Sequence, residues 1–347
     1  MKIFCYYILL LFILVSCRSI DTLSIDYLQP SDISFPEEIK KVAIVDNTSS
    51  DDLAKRVMQF NHASRPDLED LGVVEGYGKI TAEGLAEAVA EGNYFDQVVI
   101  CDSSLRADDF QYRERRLSMA EVASLTNDLQ VDMLLSLEKV QVYLRKGLTF
   151  DYELDTPLQV LEARVRSVVR LYLPERESPL AAIDTIDSLY WVGTWQVDTL
   201  MIKEASELAS GLAVKHILPT WKTVSRTYYS GENVAMRDAA VCVREDDWEE
   251  ASQLWKRVFE QKSTKYRMRA AYNIALYYEM HDSLNKSLEW IEKAKQLALL
   301  RAQKKENSEV GLSADYTMIE RYEQELKKRI EQLPNLKLQL QRFNGDF

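Results

Sequence analysis

The sequence predicts an α+β protein, with an N-terminal mixed α/β sheet domain followed by an all-α helical-repeat domain. Strand-like and helix-like patterns alternate from Lys41 to Leu218. The stretch from Asn233 to Arg329 instead has no Pro and a single Gly, and its abundant Ala, Leu, Glu, Lys and Arg favour helix. Charge divides in the same place: residues 17–231 carry 22 Lys and Arg against 35 Asp and Glu, whereas residues 232–347 carry 20 of each. A chain of 347 residues has room for two domains.

The first residues have the pattern of a bacterial export signal. Lys2 precedes an unbroken apolar run, Ile3–Val15, which suits a signal peptide and is shorter than the roughly 20 residues of a membrane span. The run ends in Leu14-Val15-Ser16-Cys17, which resembles the lipobox of bacterial lipoproteins. The resemblance implies that residues 1–16 are a signal peptide and that Cys17 is the lipidation site. An ordinary cleaved signal and a lone membrane helix are the alternatives.

Residues 17–37 are then expected to form a lipid-anchored N-terminal segment. Several acyl chains together hold a protein firmly on a bilayer, whereas one chain holds it weakly. Arg18 stands at the second mature position, where Asp would resemble the inner-membrane retention signal of enteric bacteria. The segment also lacks the acidic cluster that resembles the surface-export tag of Bacteroides-type lipoproteins. We therefore expect an outer-membrane lipoprotein that faces the periplasm.

Residues 38–230 are predicted to form the α/β domain. Alternating and buried apolar patterns indicate strands and amphipathic patterns indicate helices. With a first strand before the domain, the predicted strands are Leu23–Leu28, Lys41–Val45, Phe95–Ile100, Val131–Tyr143, Glu162–Leu173 and Ile183–Trp191, and the helices Thr81–Gly92, Ser118–Leu129 and Met201–Leu218. This order predicts a mixed sheet with helices on one side. The glycines of Gly72–Gly78 lack the spacing and the Lys-Ser/Thr of a phosphate loop, so we predict a flexible loop there.

Residues 231–334 are predicted to be helical repeats, because the sequence matches itself at an offset of 36 residues. Small residues recur where paired helices approach closely, and larger apolar residues recur beside them; the aligned pairs are Ala239 with Ala275, Ala251 with Ser287, Trp255 with Ile291 and Val258 with Ala294. The pattern resembles the tetratricopeptide repeat (TPR), a helix-turn-helix unit of about 34 residues. A further helix, Ser313–Gln332, is predicted between Gly311 and Pro334, with residues 335–347 as a C-terminal tail.

The TPR resemblance implies a concave groove lined by the first helix of each pair, where such stacks bind peptides or protein segments. In the second repeat it places five residues on that groove: Arg269, Tyr272, Leu276, Glu279 and Met280. The alternative is that the repeats only brace the first domain.

Residues with catalytic or metal-binding patterns are not found in this sequence. His62, His216 and His281 are far apart, and neither a nucleophile elbow nor a P-loop is present. We therefore expect no enzyme activity, no metal and no cofactor. An acidic chain repels phosphate backbones, which argues against nucleic acid as a partner. Cys101 and Cys242 could form a disulfide or remain two single thiols.

The strand Phe95-Asp96-Gln97-Val98-Val99, a helix, and Val131-Asp132-Met133-Leu134-Leu135 resemble a pattern in two kinds of envelope lipoprotein. These are the activators of peptidoglycan synthases and the curli-secretion lipoproteins. The mature opening, Cys17–Pro36, followed by Lys40-Lys41-Val42-Ala43-Ile44-Val45, resembles a family of Bacteroides-type lipoproteins with C-terminal tetratricopeptide repeats.

That family resemblance implies no particular activity. We predict a lipid-anchored cell-envelope adaptor, which binds an envelope protein partner through its repeats and the membrane through its lipid. The alternative is an oligomerising or ligand-binding envelope lipoprotein related to secretion or to peptidoglycan-synthase activators. The sequence leaves the oligomeric state open.

Overall fold

The computed structural model describes residues 19–48, 70–106, 116–153, 155–303 and 314–343. The predicted signal peptide, residues 1–16, and the predicted lipidation site, Cys17, lie outside the described residues, as does His62. The α+β class is confirmed, because a sheet-rich region precedes a helical region. The chain forms two compact units. The helical unit contains the described residues up to Gln29 together with those of Trp221–Pro334, and the sheet unit contains the described residues of Pro30–Thr220 and those from Asn335 onwards.

Among the residues that the structure describes, the sheet unit contains six strands, four helices and the C-terminal part of the chain. Its strands are β2 (Lys41–Asp46), β3 (Asp70–Glu75), β4 (Gln97–Ile100), β5 (Met133–Asp151), β6 (Thr156–Tyr172) and β7 (Ala181–Val192). Its helices are α1 (Gly78–Glu91), α2 (Met119–Leu129), α3 (Thr199–Leu212) and the short α4 (Val214–Ile217). The last turns of the C-terminal helix, which is described below, also belong to this unit.

The predicted mixed sheet is confirmed, with strand order β4-β2-β5-β6-β7. Strand β2 pairs in parallel with β4 and with β5, and the β5–β6 and β6–β7 pairs are antiparallel. Strands β5 and β6 are much longer than predicted, because they continue past the buried core as a hairpin. The side chains of Leu148 and Phe150 near its tip are exposed.

Helices cover both faces of the sheet, so the prediction of helices on one side is wrong. Val42 and Ile44 point into the core with α1 and α3, whereas Ala43 and Val45 pack with α2 on the other face. All four residues are apolar, and a parallel strand that is apolar on both sides must be covered on both sides.

The predicted flexible loop at Gly72–Gly78 is also wrong. Strand β3 runs through most of it and pairs antiparallel with β5, with Val73 opposite Tyr143 and Val74 opposite Val142. Gly72 adopts a φ of 109°, which favours glycine, at the point where the pairing register shifts. Helix α1 begins directly at Gly78.

The helical unit contains two strands and five helices among the described residues. Strand β1 (Ile20–Gln29) pairs with β8 (Thr220–Tyr229) in a two-stranded ribbon. The helices are α5 (Val234–Arg244), α6 (Trp248–Phe259), α7 (Thr264–Met280), α8 (Leu284–Gln303) and α9 (Ala314–Leu340). Strand β8 was not predicted from the sequence.

The residues that repeat at an offset of 36 form the core of this unit. Ala239, Ala251, Trp255 and Val258 are fully buried, and so are Ala275, Ser287, Ile291 and Ala294. Small side chains at the same position of each helix pair let the two helices of the pair approach closely. The aligned positions of the sequence repeat are therefore buried in both helix pairs.

Helix α9 is longer than predicted and runs through Pro334 to Leu340. Residues 335–343, which were expected to begin a tail, pack within the sheet unit. The Gln339 side chain is buried, and its amide accepts from the Ser31 N–H and donates to the Ser31 carbonyl, each at 3.0 Å. Pro334 did not mark the end of the helix. A proline removes one backbone N–H donor, and the residues after it are held by the contacts of Gln339 with Ser31.

Candidate functional site

Helix α7 carries the five residues that were predicted to face a partner. Four of them are buried, with exposed fractions of 8% for Arg269, 2% for Tyr272, 0% for Leu276 and 1% for Glu279. Met280 is half-buried. This face of α7 is covered by the β1–β8 ribbon of the same unit, so the five residues contact an extended segment of their own chain.

The upper part of this face binds the end of strand β8. The Asn273 amide accepts from the Tyr229 N–H at 2.9 Å and donates to the Tyr229 carbonyl at 2.8 Å. The Tyr229 ring lies edge-on to Tyr272 with centroids 5.5 Å apart, and the Arg269 guanidinium lies 4.6 Å from the Tyr229 ring centroid. The Asn273 side chain thus supplies the two backbone hydrogen bonds that a neighbouring strand would make with Tyr229.

The middle and lower parts of this face bind both strands of the ribbon. Leu276 is buried together with Ile25 of β1 and Tyr228 of β8, and Met280 packs against the same cluster. One turn away, Glu279 accepts from Arg226 of β8 at 3.0 Å to Nε and 2.9 Å to Nη2. The groove side chains are therefore used for apolar packing and for an ion pair with the ribbon.

Glu279 is the centre of a buried ionic cluster. Besides Arg226, it accepts from the Tyr322 hydroxyl at 2.6 Å and from Arg329, both on α9. Arg226 also binds Glu325, and the Arg329 guanidinium lies 4.0 Å from the ring centroid of Tyr27. The Glu279 carboxylate joins α7 to β8 and α9, and Arg329 extends the cluster to β1.

The cluster keeps Glu279 ionised. Burial by itself raises the pKa of this carboxyl group, but the hydrogen bonds and charge of Arg226, together with Tyr322 and Arg329, bring it below its ordinary value. Burial and the neighbouring Glu279 carboxylate raise the pKa of Tyr322 well above its ordinary value. Tyr322 therefore stays protonated in the physiological pH range and donates a hydrogen bond to the Glu279 carboxylate.

An open cleft of about 790 Å³ lies beside this cluster, within the helical unit. Its volume is within the usual range of ligand-binding pockets, roughly 300–1,000 Å³. Side chains of β1, β8, α7 and α9 line it: Tyr27, Gln29, Lys222, Val224, Ser225, Arg226, Thr227, Tyr272, Ala314, Thr317, Met318, Arg321, Tyr322, Glu325, Lys328, Arg329 and Gln332. Of the five groove residues predicted from sequence, Tyr272 lines the cleft and the other four do not.

The cleft carries excess positive charge although the whole chain has a formal net charge of −12. Arg226 and Arg329 are balanced by Glu279 and Glu325. Lys222, Arg321 and Lys328 also line the cleft. Lys222 and Lys328 are exposed, and neither has an ion-pair partner among the described residues. The cleft can therefore attract an anionic group without first breaking the buried cluster.

Two family models match this chain. A domain of unknown function (DUF8603) matches residues 39–229, which is more than half of the 347 residues. The chain belongs to the DUF8603 family. A second domain of unknown function (DUF6340) matches residues 237–328, within the helical region. A search of curated proteins found no match.

The DUF8603 region also contains a buried acidic cluster. Glu138 lies where the β5–β6 register shifts, and its carboxylate accepts from Asn47 at 2.8 Å and from the Tyr172 hydroxyl at 3.0 Å. Arg170 is 3.4 Å away. Burial raises the pKa of Glu138 despite these partners. Glu138, Asn47, Tyr172 and Arg170 all belong to the sheet unit.

The carboxyl ends of β2 and β4 are a frequent place for ligands in open α/β sheets. In this member of the DUF8603 family the cavity there, beside Asp46, Cys101 and Ser104, has a volume of about 10 Å³. That space holds about one water molecule. The described residues thus provide no room for a larger ligand at this edge.

The described residues contain no group of three His, Cys, Asp or Glu side chains placed to hold a metal. His216 pairs with Asp32 at 2.5 Å, and His281 contacts the Tyr277 carbonyl at 2.8 Å. Cys101 and Cys242 are free thiols. In the part of the chain that the structure describes, no helix is both long and apolar enough to span a bilayer.

Sequence reasoning identified Tyr272 and missed the charged residues of the cleft, above all Lys222, Arg226, Lys328 and Arg329. Arg226 lies on a strand that was not predicted, and its buried partner Glu279 was placed on an open groove. The alternation of Lys222, Val224, Arg226 and Tyr228 was the available signal for a strand. It was weak because two of these four residues are charged.

Proposed function

We propose that this chain is a lipid-anchored adaptor of the bacterial cell envelope, which binds a protein partner through its helical unit and catalyses no reaction. The observation that carries the proposal is the open, positively charged cleft between the β1–β8 ribbon and α9. It has the size of a binding site, and its buried cations, Arg226 and Arg329, are paired with carboxylates as in a structural cluster, which leaves Lys222 and Lys328 to attract a partner.

In this proposal the pairs α5–α6 and α7–α8 are tetratricopeptide-like repeats and α9 closes the stack. The repeated small residues at Ala239 and Ala275 and the burial of their aligned neighbours support this assignment. The groove of such a stack would already hold the β1–β8 ribbon of the chain, so the partner would bind beside the ribbon, in the cleft.

The proposed anchor is lipid on Cys17, which would place the protein on the periplasmic face of the outer membrane. Cys17 is three residues before Ile20, where strand β1 begins, and three residues reach at most about 11 Å. The tether would therefore hold the helical unit close to the bilayer. Confinement to a surface raises the effective concentration of two bound partners without any new contact.

Site-specific photo-crosslinking in the native membrane tests the proposal. A photoreactive residue replaces Thr317, which is exposed and lines the cleft, and a matched control replaces Glu289, which is exposed on α8. We expect one recurrent envelope protein to be crosslinked at position 317 and absent at position 289. Equal labelling at both positions, or no recurrent partner at position 317, would rule out a specific partner site in the cleft.

The alternative function, an oligomer-forming envelope lipoprotein, makes a different prediction. Sedimentation of the detergent-extracted protein would then give one defined oligomer, and the photoreactive residue at position 317 would label either the chain itself or nothing. If the chain is an adaptor, we expect a complex that contains one copy of the chain and its partner.

A further inference from the structure

Strand β8 has one edge that faces the cleft. At the end of the ribbon the Ser230 N–H donates to the Ser19 carbonyl at 3.0 Å, on the side of β1. The adjacent residue, Tyr229, points its N–H and carbonyl the opposite way, where Asn273 binds both. Backbone groups alternate between the two edges of an antiparallel strand, so those of Thr227 and Ser225 point the same way as those of Tyr229.

The backbone of Ser225 has room for a partner on that side. Ser225 and Thr227 both line the cleft, and β8 pairs with β1 alone among the described strands. No described residue outside the ribbon binds the Ser225 N–H or carbonyl. An unpaired strand edge is a template for another extended chain.

The opposite wall of the cleft is one face of α9. Thr317, Arg321 and Lys328 lie on this face at helical spacing, and Arg321 and Lys328 are exposed. Lys222 lies on β8 itself, three residues before Ser225, and is also exposed. A chain lying along β8 would thus have cations on both sides.

We propose that the cleft binds an acidic segment of a partner protein, which adds to the free edge of β8 as a further strand. The proposal rests on the adaptor function above and specifies the chemistry of the partner. Backbone hydrogen bonds to Ser225 and Thr227 would hold the segment, as in other cases of strand addition. Its carboxylates would face Lys222, Lys328 and Arg321, which makes the fit specific for acidic side chains.

A peptide titration tests the charge requirement. The detergent-extracted protein is titrated against a short fluorescent peptide of alternating Glu and Thr, and against the same peptide with Gln in place of Glu, with anisotropy as the readout. We expect the Glu peptide to bind and the Gln peptide to bind about tenfold more weakly or not at all. Added salt should weaken binding of the Glu peptide, because both lysines are exposed to solvent.

Charge reversal locates the site. The double variant Lys222→Glu with Lys328→Glu should weaken binding of the Glu peptide by about tenfold or more, since each substitution replaces attraction by repulsion. The control, Lys262→Glu with Lys286→Glu, changes net charge equally at exposed positions of the helical unit outside the cleft. Equal weakening by the two double variants would mean nonspecific attraction and would overturn the proposal.

Ser225→Pro tests strand addition separately from charge. Proline removes the backbone N–H that points into the cleft. It breaks no hydrogen bond to β1, because the backbone groups of residues 224 and 226 are the ones that point towards that strand. We expect Ser225→Pro to abolish peptide binding with an unchanged melting temperature, and Ser225→Ala to bind as the parent protein does. Unimpaired binding by a folded Ser225→Pro variant would overturn strand addition.

The outcomes separate this inference from the adaptor proposal. A partner crosslinked at position 317, combined with no binding of the Glu peptide, would leave the adaptor standing and overturn the acidic-strand ligand. Binding of vesicles rich in anionic lipid, lost in the Lys222→Glu with Lys328→Glu variant while the peptide fails to bind, would assign the cleft to a membrane surface and likewise overturn the inference.

Discussion

Glu279 connects three elements of the helical unit through its two carboxylate oxygens. Its side chain is completely buried, and it accepts hydrogen bonds from Arg226, Arg329 and Tyr322. A buried carboxylate is tolerated only when it is paired and its lone pairs are satisfied. This residue was predicted to face a partner, and in the structure its carboxylate contacts β8 and α9.

Replacement of Glu279 by Gln should destabilise the protein by about 3 kcal/mol at neutral pH, because Arg226 and Arg329 lose the carboxylate that balances their buried charge. Urea denaturation of the two proteins measures the change. Glu289→Gln, at an exposed position on α8, is the control and should change the free energy of unfolding by less than about 0.5 kcal/mol. A Glu279→Gln variant as stable as this control would show that the buried charge pairing contributes nothing.

Ionisation of Glu279 should also make the free energy of unfolding depend on pH. The folded pKa of Glu279 lies below its ordinary value, so its ionised form stabilises the folded state. That contribution is complete above the unfolded pKa of about 4.3 and disappears as the pH falls through the lower folded value. The difference in stability between parent protein and Glu279→Gln should therefore be constant above pH ~5 and shrink below pH ~4. A difference that grew on acidification would contradict the assignment.

At the scale of elements, the β1–β8 ribbon depends on α7 because a two-stranded sheet is barely stable alone. Asn273 is the clearest link, since its buried amide satisfies both backbone groups of Tyr229. Asn273→Ala should cost about 2 kcal/mol, from two lost hydrogen bonds. It should also speed hydrogen exchange at the Tyr229 amide more than at other β8 amides. Asn285→Ala, exposed on α8, is the matched control and should do neither.

Elements with a simple apolar pattern could be predicted from the sequence. Strand β2 is almost entirely apolar and α2 begins with Ser118 and Glu121 in a reciprocal capping arrangement, and both were predicted within two residues. Strand β8 could not be found this way, because Arg226 occupies a buried position that a pattern search expects to be apolar. Its burial depends on Glu279, more than 50 residues away in sequence.

Part of the candidate site could be predicted from the sequence, because helix α7 lies within the sequence repeat. The 36-residue repeat predicted a helix at α7, and Tyr272, Leu276 and Glu279, which were predicted to face a partner, contact an extended segment of the same chain, the β1–β8 ribbon. The source of that segment could not be predicted, because the sequence repeat contains no information about strands outside it. The cations of the cleft belong to α9 and β8, and only the fold brings Lys222 near Lys328.

At the scale of the whole molecule, we propose that a lipid tether is joined to a partner-binding unit. Only Arg18 and Ser19 separate Cys17 from strand β1, so the tether that we propose is short. Cys17→Ala should move the protein from the membrane fraction to the soluble fraction, because several acyl chains are lost together. Cys101→Ala removes a free thiol of the sheet unit and should leave the protein in the membrane. Membrane retention of Cys17→Ala would contradict the anchor.

The most direct test of the central claim, that a partner binds in the cleft, is quantitative mass spectrometry of proteins that co-purify with the membrane-extracted chain. The parent protein is compared with Lys222→Glu/Lys328→Glu and with the control Lys262→Glu/Lys286→Glu. We predict one envelope protein that is recovered with the parent and the control and reduced at least about tenfold with the cleft variant. Equal recovery of every co-purifying protein from all three samples would contradict the account.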